Sequence, residues 1–87
     1  MTKLKNKYIV LAMETDAPYF TFACVRQDMS WGSERDAHQS DDKDWLEKAS
    51  DMVREFSKDK NHERVVPRFC KVLDNGKIDS KFSFELV

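Results

Sequence analysis

Glycine is nearly absent. Of 87 residues only Gly32 and Gly76 are glycine, so neither a Walker-type phosphate loop nor a dinucleotide-binding fingerprint, each built on several closely spaced glycines, is possible. Two cysteines, Cys24 and Cys70, are too few for the dense disulfide stapling of secreted miniproteins. They fall inside predicted strands, where a free thiol behaves as a small hydrophobe. The longest apolar run, Tyr8 to Met13, is far short of the roughly 20 residues a membrane span requires, and no small-residue cleavage site follows it. The expected location is the cytoplasm. Metal-ligand spacing is missing too. Cys24, His38, His62 and Cys70 form no C-x₂-C or H-x₃-H pair, and Asp41-Asp42-Lys43-Asp44 lacks the glycine and terminal glutamate of a calcium loop. No metal and no cofactor is expected.

What remains is a chain of 40% hydrophobic and 36% charged residues, the composition of one folded domain over residues 1–87. A domain this small buries only about 60–65% of its unfolded surface, which leaves little room for a deep catalytic cleft. Charge is unevenly spread. Residues 34–63 hold ten acidic and six basic side chains, net −4, against +1 for residues 1–33 and +2 for residues 64–87. A nucleic-acid binder would show a basic face or stripe, so that class is disfavoured.

The clearest periodic signal runs from Ser40 to Lys60. Trp45, Leu46, Ala49, Met52, Val53 and Phe56 follow the i, i+1, i+4, i+7, i+8, i+11 spacing of one helical stripe. Ser40, Asp41 or Asp42 supplies a cap, and acids at the start with Lys58 and Lys60 at the end suit the helix dipole.

On either side lie strand signals. Lys7 to Glu14 alternates Ile9, Leu11 and Met13 with Tyr8, Val10 and Ala12, apolar on both faces; a Thr15-to-Pro18 turn leads into a second strand, Tyr19 to Gln27. Asp74-Asn75-Gly76-Lys77 predicts a second hairpin with Asn75-Gly76 as a two-residue type I′ loop. That register pairs Leu73 with Ile78, Phe69 with Phe82 and Val65 with Leu86, all on one face. Pro67 lacks a ladder donor and predicts an edge or a bulge. The expected fold is α+β, two-layer: an antiparallel four-stranded sheet in the order ββαββ with one amphipathic helix packed on one face.

Function is read from surfaces, because no catalytic motif is present. One helix about 10 Å wide cannot cover four strands spaced by about 4.8 Å. The uncovered face is expected to carry Tyr8, Val10, Ala12, Tyr19, Ala23 and Val25, either shielded by the chain's own loop or buried in a homodimer or against a partner protein. If the chain itself encloses the first strand and Trp31 is tucked inside, the case for a binding surface falls.

A second candidate is the long connection from Asp28 to Gln39, where Met29, Trp31 and Arg35 are interface-prone residue types; Trp31 either closes over the helix end or binds a partner. His38 lies in the same stretch, and no serine or cysteine has the context of an activated nucleophile beside it. A third candidate is the acidic ridge of Glu47, Asp51, Glu55 and Asp59 at i+4 spacing, either a solvated face or a surface offered to a basic partner.

Lys7-Tyr8-Ile9 followed by Tyr19-Phe20-Thr21 is similar in spacing to the paired motifs of GIY-YIG nucleases. Both motif glycines are missing, and so are the helical arginine and later glutamate; no catalytic residue carries over. The small mixed fold, long loop and skewed charge also resemble small phage-encoded proteins that bind host machinery. The sequence thus points to a non-enzymatic protein-interaction module, a regulator or inhibitor of a larger protein complex. The alternatives are a nucleic-acid-binding domain using the exposed sheet face and a homodimeric domain.

Overall fold

A computed structural model describes residues 3–14, 20–59 and 65–83. The chain folds as β1 (Lys3–Glu14), β2 (Phe20–Val25), β3 (Trp31–Gly32), a 3-10 turn (Glu34–Asp36), β4 (Ser40–Asp42), α1 (Lys43–Asp59), β5 (Val65–Val72) and β6 (Ile78–Ser83). It is an α+β protein with one helix on an antiparallel sheet. Strand order is β3-β2-β1-β5-β6, with β4 pairing to β1 off that path. Among the described residues six strands stand in place of the four expected, because the Asp28-to-Gln39 connection and the helix entry contribute two short ones. Strands of two or three residues carry no periodicity, so only their partners reveal them.

β1 is the spine. It pairs with β2 through Leu11–Cys24 and Ala12–Ala23, then shifts register at a bulge before Met13; on its other side it pairs with β5 from Tyr8–Lys71 to Glu14–Val65. A strand flanked on both edges and apolar on both faces belongs at the centre of a sheet. The helix starts where the sequence caps it. The Ser40 hydroxyl accepts the Asp42 N–H at 3.0 Å, and the Asp42 carboxylate accepts the Asp44 N–H at 3.0 Å. From there α1 packs across β1, β4 and β5, burying Leu46, Ala49 and Val53 together with the small Ser50 and Ser57.

Two clusters fill the two faces of the sheet. Beneath the helix lie Tyr8, Val10, Ala12, Val25, Leu46, Ala49, Val53, Val65 and Phe69; on the far face lie Ile9, Leu11, Met13, Cys24 and Cys70, with Ala37, Val72 and Ile78 packed against them. The faces are therefore the reverse of the sequence expectation. Tyr8, Val10, Ala12 and Val25 were assigned to the open face, yet the helix covers them. Both sets are equally apolar, so alternation alone does not choose between them. The extension of β1 does: Leu4 continues the helix side, whereas Lys3, Lys5 and Lys7 on the other parity are exposed.

The second hairpin departs from its expected register. Asn75 does not take the positive φ that a type I′ turn demands, since Met29 is the one non-glycine with positive φ among the described residues. The Leu73 N–H instead donates to the Lys77 carbonyl at 2.8 Å and the Gly76 N–H to the Leu73 carbonyl at 2.9 Å, a three-residue loop with Gly76 at φ 83°. Val72 then pairs with Ile78 and Cys70 with Phe82, two steps on β5 against four on β6. The extra residues form a bulge, where the Asp79 carboxylate accepts the Lys81 N–H at 3.0 Å. Phe69 consequently faces Ser83 and not Phe82; the expected Val65–Leu86 pair lies outside the described residues. Pro67 lies in β5 between β1 and β6, beyond the Phe69–Val72 stretch that pairs with β6 among the described residues.

Candidate functional site

The connection after β2 is folded, not loose. Its first turn is closed by the Arg26 N–H donating to the Ser30 carbonyl at 2.8 Å and the Met29 N–H to the Arg26 carbonyl at 2.9 Å. Both the Ser30 N–H, at 3.1 Å, and its hydroxyl donate to the Asp28 carboxylate. Those bonds, the hydroxyl first, hold the Asp28 carboxyl below its ordinary value. Met29 completes the turn at φ 66°, in the left-handed region. Trp31 and Gly32 then pair with Val25 and Cys24. A Cβ at Gly32 would stand 2.7 Å from Arg26 Cδ and 3.2 Å from Asp36 Cβ, so the Arg26 side chain would have to move to admit one.

The following residues pass from one face of the sheet to the other. Ala37 packs on the far-face cluster, the His38 N–H donates to the Val25 carbonyl at 3.1 Å, and the His38 ring meets Trp45 edge to face, centroids 4.6 Å apart. On the helix side Trp31 meets Phe56 in the same manner at 5.1 Å, and the Trp45 indole N–H donates to the Gln27 carbonyl at 3.3 Å. Met29, Trp31, His38, Trp45, Met52 and Phe56 are all half-buried; residues 27–38 meet α1 at two places along its length, Gln27 and His38 at Trp45 and Trp31 at Phe56.

Of the residues singled out in the sequence, Met29 and Trp31 pack on the helix-side cluster and His38 packs on Trp45. Trp45, Met52 and Phe56 were read only as core. The helical spacing held the missing signal, because these three sit at the margin of the stripe whose centre is Leu46, Ala49 and Val53. Arg35 stands exposed on the 3-10 turn, and Glu47, Asp51 and Glu55 are exposed on the outer side of α1. Asp51 lies 3.3 Å from Arg54, and Glu47 lies 3.9 Å from Lys43. Such exposed pairs contribute little stability.

Tyr8 is corrected: at 3% exposure, beneath the helix, it lines no open surface. From Tyr8 to Met13 both faces of β1 are buried by the chain itself, while Trp31 is half-buried. Tyr19 lies outside the described residues.

Reactive chemistry finds no footing at the cysteines. Burial, followed by the Glu34 carboxylate, pushes both the Cys24 and the Cys70 thiols up to about 11, so neither is a thiolate near neutral pH. A groove of about 340 Å³, lined by Lys5, Lys7, Gln39, Leu73 and Asp74 among others, contains neither thiol nor the His38 ring. Among the described residues no three His, Cys, Asp or Glu side chains converge as a metal site would need, and no helix is long and apolar enough to cross a membrane. Comparison with protein-family models, curated proteins and solved structures found no match.

Proposed function

We propose that the protein is a small non-enzymatic interaction module, a regulator or inhibitor that binds a larger protein where the Met29–Trp31 segment meets the Trp45, Met52 and Phe56 flank of α1. One observation carries this reading: half-buried Trp, Met and Phe side chains are concentrated at that junction. These are the residue types that dominate binding energy at protein interfaces. Edge-to-face neighbours and the Trp45–Gln27 bond already hold the rings, so a partner meets a surface that loses little side-chain entropy on binding.

The test is a quantitative capture from cell extract with matched variants. Wild type and Leu73→Ala, which trims an exposed large apolar residue at the β5–β6 turn, should retain the same protein. Trp31→Ala and Met52→Ala should lose it while keeping the far-ultraviolet circular dichroism of the fold. Retention by all four chains would remove the surface from consideration.

A further inference from the structure

The outer surface of α1 is divided lengthwise by charge, and the division is aligned with the aromatic flank. At about 100° per residue, Trp45, Met52 and Phe56 fall within roughly 40° of one another. Moving from them away from the core, the next roughly 100° holds Asp59, Lys48, Glu55, Asp44 and Asp51, all exposed: four acids and one base, net −3. The remaining exposed strip holds Lys58, Glu47, Arg54 and Lys43, three bases and one acid, net +2. Asp51 is engaged by Arg54, whereas Asp44, Glu55 and Asp59 pair with no cation among the described residues. In the turn that precedes Trp31, Asp28 stands exposed next to Met29, its carboxyl held below its ordinary value by its bonds from Ser30 and, less, by the nearby Arg26.

We infer that the partner presents a basic amphipathic segment, whose apolar side chains seat on Trp31, Met52 and Phe56 while its lysines or arginines meet Glu55, Asp59 and Asp28. The inference rests on the interaction reading above and adds the partner's chemistry to it. A rim whose net charge is negative, Lys48 notwithstanding, favours a partner of the opposite sign and speeds its approach. The same carboxylates repel a phosphate backbone, which argues against nucleic acid at this surface.

The probe is a Trp-free amphipathic Leu/Lys peptide of about 15 residues, titrated against the full chain and followed by the emission of Trp31 and Trp45. Leu/Glu and Leu/Gln peptides of the same length and a single-stranded oligothymidylate serve as comparisons. The expected result is saturable binding of the Leu/Lys peptide alone, weakened by salt. Glu55→Lys should lower its affinity about tenfold, while Glu47→Lys, the same change on the opposite strip, should alter it less than about twofold. Trp31→Ala should abolish it with Trp45 still reporting.

If binding needs Trp31 but is indifferent to Glu55→Lys and equal for Leu/Gln, the basic partner is overturned and the surface stands. If Glu47→Lys and Glu55→Lys weaken binding equally and Trp31→Ala does nothing, attraction is by net charge alone and both readings fall. Tighter binding of the oligothymidylate than of the peptide would overturn the inference in favour of nucleic acid.

Discussion

The turns at Arg26–Ser30 and Leu73–Lys77 share one hydrogen-bond skeleton. In each, the first N–H donates to the fifth carbonyl at 2.8 Å, the fourth N–H donates to the first carbonyl at 2.9 Å, and a side chain at the third position, Asp28 or Asn75, accepts the fifth N–H. The fourth position must be left-handed. Gly76 fills it in one turn and Met29 in the other. A Cβ strains that conformation by about 1 kcal/mol or more, so glycine is the inexpensive choice. The distal turn follows that rule, and its glycine faces open space. The turn at Met29 breaks it and places a long, flexible side chain against the helix-side core cluster. Backbone strain at such a position is a pointer to function, and here it coincides with the surface proposed for binding.

The comparison can be tested by breaking each side of it. Phe56→Ala removes the ring on which Trp31 rests and should cost about 2 kcal/mol by chemical denaturation. It should speed amide exchange at residues 26–31 and leave residues 73–77 unchanged; equal loosening of both turns would mean that the first is not anchored by the helix. Gly76→Met should cost about 1 kcal/mol, lowering the melting temperature by about 4–8 °C. Because a Cβ at that position meets no atom within 4 Å, the cost comes from the left-handed backbone and not from a clash at Cβ.

Met29→Gly sets relief of that strain against lost packing, about 1 kcal/mol each, and should move stability by less than about 0.5 kcal/mol while weakening partner binding. A clear gain in stability with binding intact would make Met29 a mere defect. The smallest effect is in pH. The Asp28 carboxyl is lowered in the folded state, so its stabilising contribution is present above the unfolded value of about 4 and is lost as pH falls through the lower folded one. The Ser30 amide signal should titrate in that acid range and the Lys77 amide, held by Asn75, should not; Asp28→Asn should abolish the difference.

Much of the fold is legible in the sequence wherever a period repeats. The helix lies within Ser40 to Lys60 with Leu46, Ala49 and Val53 at its centre, and the first hairpin forms as its alternation predicts. The apolar pattern of β1 is symmetrical and could not tell which face meets the helix; extending the strand to the Lys3, Lys5 and Lys7 row would have settled it. The second hairpin was misread because Asn-Gly is compatible with both a two-residue and a three-residue loop, and the bulge at Asp79 is set by contacts the sequence does not display. At the candidate surface, Met29, Trp31 and His38 were legible by residue type. Their neighbours Trp45, Met52 and Phe56 were hidden inside a stripe that looked uniformly buried.

The central claim is that the Met29 turn and the aromatic flank of α1 form one binding surface. Chemical-shift mapping of the labelled protein with the Leu/Lys peptide tests it most directly. The expected shifts concentrate at Met29, Trp31, Trp45, Met52 and Phe56, including both indole N–H signals, with residues 73–77 silent. Shifts centred on Lys3, Lys5 and Lys7 or on the distal turn, or no shifts at all, would contradict it.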